Sequence, residues 1–107
     1  EIALRQLASP TEVDALDGAP DDLGFADCWA WEDEAAGWIR SRVFAPSYGI
    51  AEDEANGAAA VRLVSQLGRP VTIRQGAGSI LHARPGPGGT AEVGGGVVLD
   101  EVRDYRV

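Results

Sequence analysis

Two alternating stretches, "FADCWAWE" (25–32) and "WIRSRVF" (38–44), constrain this chain more than any other feature. A period of two places alternate side chains on opposite faces of a strand, and the intervening "DEAAG" is turn-like, so the pair reads as a hairpin. Phe25, Trp29 and Trp31 fall on one side of the first strand and Ala26, Cys28 and Ala30 on the other, so both faces are expected to be covered. Trp29, Trp31 and Trp38 are then expected to pack across the strand pair.

The rest of the chain supplies more strands and two helices. "EIALRQL" (1–7) reads as an entering strand. In "SPTEVDALDG" (9–18), Ser9 is placed to cap a helix, Pro10 stands at its first position, Glu12 completes a capping box, and Gly18 ends it. "APSYGIAEDEANG" (45–57) has no clean period and reads as a long loop, a kind that is often functional. "AAAVRLVSQLG" (58–68) carries Ala60, Val61, Val64 and Leu67 at helical spacing and closes on Gly68, and its few charges predict packing on most sides. "RPVTIRQG" (69–76) and "SILHARP" (79–85) are strands joined through Gly76 and Gly78. "GPGGT" (86–90) is a turn, and 91–107 holds one or two further strands, with a bulge or bend expected at Gly94 to Gly96. The expected architecture is α+β, a curved mixed or antiparallel sheet wrapped around one central buried helix, in a single domain spanning 1–107.

Composition limits the partners. Seventeen acidic residues against nine basic ones, all arginine, leave a formal net charge of −8. Such a body repels a phosphate backbone, so nucleic acid is not expected. No apolar run approaches the roughly 18 residues of a membrane span, no signal peptide is visible, and a lone cysteine points to a reducing cytoplasm. With no methionine and Glu1 first, either the initiator was removed or the chain is a piece of something longer. His82, the one histidine, lacks partners at metal-ligand spacing, and Cys28 lies mid-strand with no adjacent base, so both read as structural.

The densest chemistry lies in "GIAEDEANGAAAV" (49–61). A helix start leaves backbone N–H groups unpaired and carries a partial positive charge. Small residues after Asn56 leave the amides of Gly57, Ala58 and Ala59 open to a carboxylate, with Asp53 and Glu54 just outside as proton-handling or hydrogen-bonding groups. The plainer alternative is that Asp53 or Asn56 caps the helix, worth about 1 kcal/mol.

"RVFAPSYGIAEDEANGAAA" (42–60) resembles the motif Arg-x-Phe-x-Pro-x-x-Gly-x-x-Glu-Asp-x-x-x-Gly-Ser-Ala of the phenazine-biosynthesis (PhzF-like) isomerase family. Arg42, Phe44, Pro46, Gly49, Glu52, Asp53, Gly57 and Ala59 match it. "VTIRQG" (71–76) is similar to that family's strand ending in Gln-Gly, and "AEVGGGVVL" (91–99) to its closing strand pair. The resemblance covers nearly the whole chain and is to the C-terminal half only of a diaminopimelate epimerase-like fold, whose active site lies between two related halves. It implies cofactor-free proton transfer on a small carboxylate in biosynthetic metabolism, with Asp53 lining the site and Asn56, Gly57, Ala58, Ala59 and Gly76 binding substrate. It also implies a partner, either a second half-domain in cis or in trans or another copy in a homodimer. The chain departs from the family at three points. The catalytic glutamate of the N-terminal half has no counterpart, Ala58 replaces the motif's serine, and the hairpin after Gly76 is shorter. These departures leave a non-catalytic carboxylate-binding or dimerisation domain as the alternative, beside a structural fragment with no retained site.

Overall fold

A computed structural model describes residues 2–20, 23–95 and 102–106. Its described elements are α+β: one strongly curled mixed sheet and two helices. Strands β1 (Ala3–Gln6), β2 (Ala26–Asp33) and β3 (Trp38–Ala45) are followed by β4 (Ile50–Asp53), β5 (Val71–Gln75), β6 (Ser79–Pro85), β7 (Thr90–Gly95) and β8 (Val102–Arg106). Helix α1 (Pro10–Asp14) links β1 to β2, and α2 (Gly57–Leu67) links β4 to β5. The sheet runs β1-β2-β3-β5-β6-β7-β8, with β4 paired to β3 off that path. β1 runs parallel to β2 and β3 parallel to β5, and the other pairs are antiparallel.

The expected β2–β3 hairpin forms. Asp33 Oδ1 accepts from the Ala36 N–H at 3.1 Å, and Gly37 closes the turn at φ +78°, a left-handed value that favours glycine. Both faces of β2 are covered. Trp29 joins α2 in the larger core, while Ala26 and Cys28 pack with Phe44 and, from the α1 side, Leu7 and Leu16. The cross-strand packing expected of the tryptophans holds in part: Trp29 and Trp31 join Ile39 of β3 in the larger core. Trp29 and Trp31 meet edge to face along β2, centroids 5.5 Å apart, while a register shift between Trp31 and Asp33 leaves Trp38 39% exposed.

Helix α1 starts where expected, with Ser9 Oγ accepting from the Glu12 N–H, but ends at Asp14 rather than near Gly18. Arg42 Nη1 donates to the carbonyls of Val13, Asp14 and Leu16 at 3.1, 3.2 and 2.8 Å, occupying the groups that a longer helix would use. The expected loop 45–57 is also corrected. A short 3-10 turn, Pro46–Tyr48, and Gly49 at φ +75° reverse the chain, and β4 then pairs back onto β3. Glycines 94 and 95 pair regularly with β6, so no bulge lies there; Gly96 is outside the described residues.

In α2, Asn56 is the N-cap and Gly68 the left-handed C-cap. Ala59, Ala60, Val61, Leu63 and Val64 are buried, a wider face than the expected stripe, and Leu67 only partly so. Ala58, Ser65 and Gln66 remain exposed, so the helix is packed on one broad face rather than on most sides. That face meets Trp29, Ile39, Ile73, Leu81 and Val93, drawn from β2, β3, β5, β6 and β7.

Candidate functional site

The site is built where β3 changes partner. One edge of β3 is held by β2 along its length. The other is shared: residues 38–41 pair with β5, and Val43 and Ala45 pair with β4. β4 runs antiparallel to β3 and β5 parallel to it, so both strands point toward Arg42 and end there, at Asp53 and Gln75. The chain leaving β4 turns into α2 and the chain leaving β5 turns into β6, which brings 53–57 against 75–77.

Polar groups tie these turns together. The Asn56 N–H donates to Gln75 Oε1. The Ala77 N–H donates to both oxygens of Glu54, at 2.8 and 2.6 Å, and the Gly76 N–H donates to the Ser41 carbonyl at 3.1 Å. Gly76 has φ +64°, and a Cβ there would collide with the Glu54 carboxylate and stand 2.6 Å from its carbonyl oxygen. Only glycine meets both conditions without strain.

The sequence-derived site residues fall into three groups. Asp53 and Asn56 are in contact, Asn56 Nδ2 donating to Asp53 Oδ2 at 2.9 Å. Asn56 Oδ1 accepts from the Ala59 N–H at 2.8 Å, so the Ala59 amide is already engaged and Asn56 is spent on capping and on holding Asp53. The amides of Gly57 and Ala58 have no acceptor among the described residues, which narrows the expected cradle from three amides to two. Gly76 is brought beside Glu54. Glu54, expected as a proton-handling or hydrogen-bonding group, accepts from the Ala77 N–H.

Two further features escaped the sequence reading. The first is a buried polar line behind the α2 start: Ser41 Oγ donates to Asp27 Oδ1 at 2.7 Å, and Gln75 Nε2 donates to Ser41 Oγ at 3.4 Å. Asp27, Ser41 and Gln75 are all fully buried. Burial pushes the Asp27 carboxyl up to about 7, with the Ser41 bond acting in the opposite direction. The signal was present in the sequence: Asp27 and Ser41 are polar residues at positions where the alternation calls for core.

The second is a cleft of about 420 Å³ on the α1 side of the sheet, lined by Asp14, Arg40, Arg42, Glu52, Glu54 and the 76–77 turn. Arg42 grips Glu52 with two bonds, Nε at 3.1 Å and Nη2 at 2.9 Å, and the bond to Glu52 raises its already high pKa further. Arg40 Nε binds Asp14 at 2.8 Å, and its Nη1 reaches the carbonyls of Ser41 and Arg74. Each guanidinium already has a carboxylate, so the described lining of the cleft holds no uncommitted cation for an anionic ligand. Of the sequence-derived site residues it includes Glu54 and Gly76.

Among the described residues, no group of three or more His, Cys, Asp or Glu side chains is arranged to hold a metal ion, and no helix is long and apolar enough to cross a membrane. His82 Nδ1 lies 3.4 Å from Thr72 Oγ1 on an exposed strand face, and Cys28 is buried, with its thiol pushed up to about 11 chiefly by burial. No protein-family model matches the chain.

Proposed function

We propose that this chain is the C-terminal half of a PhzF-like isomerase with a diaminopimelate epimerase-like fold, α2 being the central helix. It binds a small carboxylate and takes part in cofactor-free acid–base proton transfer, working with a second half-domain in cis or in trans that carries the catalytic glutamate. The carboxylate is held by the Gly57 and Ala58 N–H groups, where the helix dipole favours negative charge. Asp53, oriented by Asn56, supplies the polar group beside it, the role a placed acid or base plays in such a reaction.

The observation that carries this reading is the pair of unengaged amides at the start of α2, next to a carboxylate held in place by the helix cap. The test is a titration with benzoate, a simple aromatic carboxylate, followed by amide NMR. The expected result is saturable shifts at Gly57 and Ala58. Gly57→Pro removes one donor at a helix position that tolerates proline, after an Asn56 already extended at φ −120°, ψ 101°. Losing one such bond weakens binding about tenfold. Negligible binding by wild type and Asp53→Ala alike favours a structural fragment. Turnover by the isolated chain at full rate rules out the need for a partner half.

A second reading, a non-catalytic domain that pairs with its own copy, is favoured by Tyr48, just before β4, and Ile50, its first residue, which are 65% and 42% exposed. A strict monomer in sedimentation at high concentration removes it.

A further inference from the structure

We infer that Asp27, Ser41 and Gln75 form a directional hydrogen-bond relay that transmits the charge state of a buried carboxyl to the backbone at the start of α2. This stands whether or not Gly57 and Ala58 bind a carboxylate. The direction is fixed from one end by a backbone group. The Asn56 N–H can only donate, so Gln75 must present its oxygen there and its NH₂ to Ser41. Ser41 Oγ, accepting from Gln75, spends its single proton on Asp27 Oδ1. Each link therefore has one donor and one acceptor, and reversing any of them breaks its neighbour.

Asp27 is suited to drive such a line. Its other oxygen, Oδ2, is buried and has no partner among the described residues. Its immediate neighbours on its own face of the sheet are uncharged: Leu4 on β1, Trp29 on β2, and Ser41 and Val43 on β3. The first turn of α2 contributes no acidic side chain and reaches this region through Ala59. Asp53 on β4 lies on the same face one strand further on, opposite Val43. Arg5, Cys28 and Arg42 form a row on the opposite face. When Asp27 is ionised it polarises the Ser41 hydroxyl, which strengthens the next two bonds in turn. The Asn56 amide is where that change is read.

The experiment follows the Asp27 side-chain carboxyl carbon, the Gln75 side-chain NH₂ and the Asn56 amide proton by NMR from pH 5 to 9. The expected result is one shared midpoint, near the value of about 7 that burial gives Asp27, with the Asn56 proton moving downfield as pH rises. In Ser41→Ala the Asp27 carbon still titrates while the Asn56 response is lost; in Asp27→Asn that response is absent. Persistence of the Asn56 transition in both variants assigns it to Asp53 or Glu54 and overturns the relay. So does a wild-type Asn56 midpoint that differs from that of Asp27, or an Asp27 carbon that does not move in this range. The wild-type comparison alone decides the matter if either variant fails to fold.

Discussion

Asp27 is the second residue of β2, with Leu4 and Val43 as its cross-strand neighbours and Ser41 as its one side-chain hydrogen-bond donor among the described residues. Its carboxyl is raised from 3.8 to about 7, mainly by burial. An acid whose pKa is raised on folding binds protons more tightly in the folded state. Its contribution is therefore fully present below about pH 4, declines as pH rises, and is gone above about pH 7. The loss across that window is roughly 4 kcal/mol. Asp27→Asn keeps an acceptor for Ser41 and removes the charge, so it is expected to be more stable than wild type at pH 8 and to lose about 2 kcal/mol of that advantage at pH 5.5. Urea denaturation of both proteins at the two pH values checks this, and parallel pH curves would refute it. Gly76 gives a second residue-scale prediction. At φ +64°, with the Glu54 carboxylate and carbonyl where a Cβ would stand, Gly76→Ala is expected to cost about 1–3 kcal/mol. A loss below half a kilocalorie would mean that the 54–56 turn moves aside freely.

Elements whose ends are marked by local chemistry were legible in the sequence. Ser9 with Pro10 opens α1, Gly68 closes α2, and Gly37 turns the β2–β3 hairpin, because caps and left-handed positions are fixed within a few residues. The fork of β3 was not legible. "IAED" has no alternation to mark β4 as a strand, and it becomes one only because Gly49 returns it to an edge that β5 leaves free. The early end of α1 depends on Arg42, 28 residues beyond Asp14. The same gap separates what was readable in the site: Asp53, Asn56 and the helix start lie in one segment, whereas Ser41 and Gln75 meet them only through the fold. Arg42 ties α1, β3 and β4 together, so its contribution is testable at this scale. Arg42→Gln loses the grip on Glu52 and leaves the α1 carbonyls without their donor, at an expected cost of about 2 kcal/mol. In a double-mutant cycle with Glu52→Gln, a coupling near 1 kcal/mol is expected for this partly exposed pair. Strict additivity would show that the carbonyl bonds, not the ion pair, hold the junction.

At the scale of the whole molecule, size and charge act together. The Cα radius of gyration is 12.7 Å and the principal extents are 34 × 30 × 25 Å, so a net charge of −8 is confined to a small body. At 0.01 M salt the Debye length is about 30 Å, and every charge senses almost every other; at 0.15 M it is about 8 Å, and only neighbours interact. The long-range sum is repulsive because acids outnumber bases, whereas the attractive pairs are short: Arg42 to Glu52, Arg40 to Asp14, Arg74 to Glu32 at 2.5–2.9 Å. Salt within this range therefore weakens self-repulsion more than it weakens the pairs. Thermal stability is expected to rise as NaCl goes from 10 to 150 mM at fixed pH, with the larger gain at pH 8, where Asp27 adds one more buried negative charge, than at pH 5.5. Calorimetry at the four combinations tests this. A Tm that falls with salt would mean that the arginine pairs at the β3 fork outweigh the net charge, and that the molecule is held together electrostatically from its centre.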